Sequence, residues 1–124
     1  MSSQPVATSA QVGQDALRAA HVVVLGLGGA GGWVLQSLAM CGVGRLSLID
    51  PDLVEQTNLN RQVLFSPSDV GSPKAGTTAA TLRRINPDVT VEGHAVLVRR
   101  SADLAPLVSG ADLVINCADF PMWP

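Results

Sequence analysis

Basic side chains are scarce in this sequence, cysteines are scarcer, and no long apolar run is present. Eight lysines and arginines are spread along 124 residues against ten acids, for a net charge of −2. Neither a nucleic-acid surface nor a polybasic membrane patch is expected, and any phosphate binding must be local. Cys41 and Cys117 lie far apart with no CxxC pair, which argues against a disulfide framework or a zinc site and for a reducing, cytoplasmic setting. No apolar run approaches the length of a membrane span, and the start, MSSQPVATSAQVGQ, has no positive region followed by an apolar core. A soluble, cytoplasmic protein is therefore expected. Internal repeats and low-complexity tracts are also absent. The length suffices for one small domain with a real core but is short for a complete doubly wound enzyme.

What is present is organised around residues 22–32, VVVLGLGGAGG. Val22, Val23, Val24 and Leu25 suit a strand buried on both faces, and glycines follow at once. The spacing of Gly26, Gly28 and Gly31 permits a tight turn, close backbone approach to a phosphate and close helix–strand packing; Gly29 belongs to the same turn. A helix over 30–41 then points its positive N-terminus at an anion, with Val34, Leu35, Leu38 and Ala39 at helical spacing and Gly42 as its stop.

Along the rest of the chain, residues 1–14 are expected to be a flexible arm and 15–20 to form one helical turn before the first strand. Residues 45–50 alternate as a second strand ending on Asp50, at the edge where open α/β sheets bind ligands. The segment 51–73 is longer than an ordinary connection and holds a short candidate helix over 57–64. Ser72, Pro73 and Lys74 read as N-cap, N1 and N2 of a helix to Ile85, ended by Asn86-Pro87. A third strand over 88–97, a short helix over 102–109 and a fourth strand over 111–117 complete the pattern. The fold class expected is α/β: a Rossmann-like, mostly parallel sheet with flanking helices, an incomplete doubly wound domain.

The polar residues converge on a nucleotide. Asp50 falls nineteen residues after Gly31, where a carboxylate commonly takes a ribose hydroxyl, and Asp52 adds a second acid. Asn58, Arg61 and Gln62 are spaced to share one helical face, and a guanidinium there can fork onto phosphate oxygens. Lys74 in a first helical turn opposes the helix dipole, so it has a reason beyond helix stability, such as sharing an anion with that terminus. Asp119, just past the fourth strand, can hold Mg²⁺ through one carboxylate. Two cations, a metal-binding acid and a glycine turn suit a triphosphate. An NAD-dependent oxidoreductase domain would use the glycine turn and Asp50 but has less use for Arg61, Lys74 and Asp119 together. His21 and His94 have no metal-like partner and are assigned no role, and both cysteines are expected as small buried residues.

In order and spacing, GLGGAGG, Asp50-Pro-Asp52, Asn58-Leu-Asn-Arg61-Gln62, Gly71-Ser-Pro-Lys74, Ile85-Asn86-Pro87 and the run from Asp112 to Asp119 resemble the ThiF/MoeB/HesA family, bacterial relatives of ubiquitin-activating enzymes. The resemblance implies an adenylyltransferase that uses ATP and Mg²⁺ to activate the C-terminal carboxylate of a ubiquitin-like carrier protein or a peptide, releasing pyrophosphate. It implies that Gly26, Gly28, Gly29 and Gly31 cradle the nucleotide and that Asp52, with Asp50, holds the ribose. Asn58, Arg61, Gln62 and Lys74 would place the phosphates, Arg61 and Lys74 offsetting charge at the α-phosphate, and Asp119 would bind Mg²⁺. Residues 15–124 are then the ATP-binding domain, C-terminally truncated, with little or no adenylation expected from these residues alone.

Departures from the family pattern qualify that picture. Phe120-Pro-Met-Trp-Pro124 follows Asp119 where family members have Asn and a helix with an arginine, a variation closer to the peptide-modifying members. The family's second half, with its clamping loop and frequent CxxC pairs, is missing, and residues 1–14 hold no arginine to reach a partner's site. A homodimer or a partner subunit is expected to supply what is absent; a non-catalytic scaffold subunit is the remaining alternative.

Overall fold

The computed structural model describes residues 9–60 and 64–118. Four strands form one sheet in the order β3-β2-β1-β4: β1 (His21–Leu25), β2 (Arg45–Ile49), β3 (Thr90–His94) and β4 (Leu113–Asn116). Every pairing is parallel, as a chain alternating strand and helix requires.

The two-residue period of the strands divides the core. Val22 and Val24 of β1 with Leu46 and Leu48 of β2 face one way, against Leu35 and Ala39 of α2 (Gly29–Cys41) and Ala75, Ala79 and Leu82 of α3 (Lys74–Ile85). Val23, Leu25 and Ile49 face the other way, where Val98 and the half-buried Leu104 and Leu107 of α4 (Ser101–Val108) meet them. Both faces of the central strands are thus covered, which is why β1 is an unbroken apolar run after its histidine. His21 itself is buried, its Nε2 lying 2.8 Å from Ser47 Oγ on that second face.

Several elements depart from the sequence expectation, each for a tertiary reason. Helix α1 (Ser9–Ala19) begins inside the stretch expected to be a flexible arm. It is tied to the body by the Leu17 carbonyl, which accepts from Gly44, and by Gln14, which donates to the Cys41 carbonyl. Strand β3 stops at His94, three residues before the expected end, because it pairs only with β2 and β2 itself ends at Ile49. Helix α3 begins at Lys74 with extended Pro73 as its cap, one residue later than the capping pattern suggests. The candidate helix over 57–64 is a 3₁₀ helix over Gln56–Asn60; residues 61–63 lie outside the described residues. Cys41 is exposed at the end of α2 and is not a core residue, whereas Cys117 is half-buried against the first core layer.

Candidate functional site

The chain runs β1, β2, β3 in one direction across the sheet and then returns to place β4 on the free side of β1. Strand order therefore reverses between β1 and β4, and the glycine turn leaves β1 at that point, where open α/β sheets receive ligands. Gly26 has φ +85° and packs on the end of β4 so closely that a Cβ would sit 2.5 Å from the Ala118 Cα. Gly31 lies against the Gly26 carbonyl, which a Cβ would meet at 2.1 Å. Glycine at these two positions sets the turn and draws the helix onto the strand.

Gly28 differs in kind. A Cβ there would have nothing within 4 Å, and Gly28 caps α2 without a side-chain hydrogen bond. The first N–H groups of a helix lack intrahelical partners, and with no side chain at Gly28 an anion can approach the start of α2.

Asp50 is buried, with one carboxylate oxygen accepting from the Leu27 N–H at 2.7 Å and the other from the Asp52 N–H at 2.8 Å. Asp52 is exposed. Lys74 follows from it through the backbone: residues 52–54 and 71–74 form a short antiparallel ladder in which Lys74 donates to the Asp52 carbonyl at 3.0 Å and Val54 to that of Ser72 at 2.8 Å. Lys74 as a residue is 6% exposed, and its side chain has no hydrogen-bond or ion-pair partner among the described residues. The ammonium keeps contact with solvent, so an anion can reach it there and take charge-assisted bonds.

Asn58 is buried in the 3₁₀ helix, where its Oδ1 accepts from the Glu55 N–H at 2.7 Å. That bond fixes the orientation of the amide and leaves the Nδ2 group to donate elsewhere. Leu64 returns to pack beside Gly32, anchoring the far side of the loop on α2. The structure thus brings the glycine turn, Asp50, Asp52 and Lys74 into one hydrogen-bonded assembly and holds Asn58 in the loop between Asp52 and Lys74. Arg61, Gln62 and Asp119 lie outside the described residues. Burial pushes the Cys117 thiol up from its usual range, which disfavours the thiolate. No group of three His, Cys, Asp or Glu side chains among the described residues is placed to hold a metal ion; a magnesium ion bound through one carboxylate and a ligand's phosphates would not need one.

The ladder and the Leu27 N–H contribute to the site without being legible beforehand. They act through backbone groups, which carry no signal in a residue pattern; only Gly71, at φ +91° in the ladder, leaves a mark.

Comparison with known proteins agrees with this architecture. The ThiF family model matches residues 3–123. The SAMP-activating enzyme E1 of Haloferax volcanii is 46% identical over 110 residues, covering 88% of this chain and 40% of that protein. The molybdopterin-synthase adenylyltransferase of Escherichia coli is 43% identical over 107 residues, covering 86% and 43%. The crystal structure of E. coli MccB with ATP superposes with a TM-score of 0.82 at 42% identity, covering 87% of this chain and 32% of that one. The chain spans about two fifths of the length of the curated relatives it matches. By fold, by the glycine turn at the reversal of strand order and by these matches, this chain belongs to the ThiF family.

Proposed function

We propose that this chain carries the ATP-binding part of an adenylyltransferase that activates the C-terminal carboxylate of a ubiquitin-like carrier protein or a peptide. The observation that carries this reading is Lys74: a largely buried lysine whose ammonium has no partner among the described residues, joined through its own backbone N–H to the Asp52 carbonyl. ATP in the crystal structure of the similar E. coli MccB supports the choice of nucleotide.

In this reading the N-terminus of α2 takes phosphate oxygens and Asp52, with Asp50, takes the ribose. Asn58, Arg61, Gln62 and Lys74 place the phosphates. A carboxylate oxygen of the acceptor attacks the α-phosphorus, the bond to the bridging oxygen breaks, and pyrophosphate leaves with the electron pair. Arg61 and Lys74 offset the charge that develops, so the chain contributes position and electrostatics while the acceptor supplies the nucleophile. Asp119 is assigned to Mg²⁺, which would neutralise phosphate charge. The chain is placed in the cytoplasm; among the described residues no helix is long and apolar enough to cross a membrane.

A second copy or a partner subunit completes the reading. Residues 1–14 contain no arginine, and Trp33 and Met40, 56% and 70% exposed, give α2 an apolar outer side suited to a protein contact.

Titration with ATP and with adenosine tests the phosphate assignments. Lys74→Ala and Arg61→Ala should each weaken ATP by about tenfold, as loss of a charge-assisted bond does, and leave adenosine unchanged. Asp119→Ala should remove the Mg²⁺ dependence of ATP affinity. Equal weakening of adenosine would show that the two cations do not serve the phosphates.

A further inference from the structure

Among the described residues every arginine side chain has a partner except those of two neighbours. Arg18 meets Asp15, Arg45 meets Glu92, Arg83 donates to the Val91 carbonyl and Arg84 to the Thr81 hydroxyl. Arg99 and Arg100 are both exposed, and neither side chain has a hydrogen-bond or ion-pair partner among the described residues. The acid nearest to them in sequence, Asp103, is used on their backbone: one of its oxygens accepts from the N–H of Arg99 and from that of Arg100, each at 3.1 Å. Nor do the two arginines serve α4. Arg100 is its N-cap, and cations beside a helix N-terminus oppose the dipole, so both stand where helix stability disfavours them. Just before them, Val96 and Leu97 are 39% and 44% exposed, while Val98 is buried in the second core layer and anchors the segment. An apolar pair and a basic pair thus flank one anchor. The strip begins at the carboxyl edge of the sheet, where the last residue of β3, His94, accepts from the Asp50 N–H.

We propose that residues 96–100 are a docking strip for an acidic, leucine-bearing segment of a partner protein. Charge complementarity selects this occupant: free guanidinium groups take carboxylates in paired, charge-assisted bonds, and the apolar pair beside them takes an aliphatic side chain. Nucleic acid is the other polyanion to consider. Residues 95–108 contain no aromatic side chain on which bases could stack, so the strip fits a peptide better. The proposal does not depend on the nucleotide reading above.

The probe is a fluorescein-labelled peptide of repeated Glu-Glu-Leu, titrated with the whole chain and followed by anisotropy. The chain is net negative, so it repels such a peptide except at a local basic strip. Affinity should fall about tenfold or more in the Arg99→Gln/Arg100→Gln double variant, and should fall with rising salt. The Arg18→Gln/Arg84→Gln variant removes the same charge at the amino edge of the sheet and should leave affinity nearly unchanged, since distant exposed charges are screened. The melting temperature of the Arg99→Gln/Arg100→Gln variant should be unchanged or higher, because two cations leave a helix N-terminus. Its affinity for ATP should equal that of the parent, so the strip and the nucleotide reading fail separately. Four results overturn the proposal: no binding of the peptide by the parent chain, equal weakening by the two double variants, a lowered melting temperature that gives the arginines a structural role, or preference for an oligothymidylate of equal charge.

Discussion

Gly28 and Gly31 separate what the turn needs for folding from what it needs for a ligand. A methyl group at Gly31 would meet the Gly26 carbonyl at 2.1 Å, and neither backbone segment can retreat without parting helix from strand. Gly31→Ala should cost about 1–3 kcal/mol or more, the range of overpacked cores, read as a lower denaturation midpoint. At Gly28 the same methyl meets nothing within 4 Å, and φ −67° with ψ −170° is open to alanine. Gly28→Ala should leave the midpoint within about 0.5 kcal/mol of the parent, like other unstrained surface changes, and weaken nucleotide binding. Loss of stability at Gly28, or none at Gly31, would refute this division. The glycine spacing is legible in sequence because it is local. Residue environments are less so: Cys41 reads as a core position on α2 yet is exposed, with Gln14 of α1 bonding its carbonyl and not covering its side chain. The hydrogen bonds of Asp50 are likewise hidden, since its two partners are backbone N–H groups of other residues.

Among the elements, α3 shows how a packed helix also serves a site. Ala75, Thr78, Ala79 and Leu82 form its buried face at helical spacing, and β3 comes so near that a Cβ on Gly93 would lie 2.6 Å from the Ala75 carbonyl. That approach holds the first turn of α3, and with it Lys74, at the carboxyl edge of the sheet. The Thr78 hydroxyl is fully buried with no hydrogen-bond partner among the described residues, an arrangement that costs about 1–3 kcal/mol of desolvation. Thr78→Val keeps the shape and removes the hydroxyl, so urea denaturation should show stability unchanged or raised by about 1 kcal/mol; a clear loss would mean that the hydroxyl has a partner. The existence of α2, α3, β1 and β2 was legible from apolar period, proline and glycine. The ends of α1 and β3 were not, because they depend on what each element meets: the Gly44 and Cys41 backbone for α1, and the length of β2 for β3.

Across the whole molecule, the sheet order places every described site residue on one side. β1 and β2 end in the glycine turn and Asp50, α2 and α3 begin there, and strand order reverses beside them. β4 borders this site as the edge strand, with Leu113 and Val114 exposed; an uncovered apolar edge of this kind favours association with another strand or subunit. The parallel architecture was legible from the alternation of strands and helices, and the polar residues of the long loop separated the triphosphate reading from a dinucleotide one. The backbone ladder that joins Asp52 to Lys74 required the fold.

The proposed function requires the folded chain to bind ATP. Calorimetric titration of the folded chain with ATP and Mg²⁺, beside NAD and a Lys74→Ala control, decides whether it does. Saturable ATP binding, weakened in the control and absent with NAD, is the predicted result. Binding of NAD in preference to ATP, or no binding of ATP by a folded chain, would contradict it.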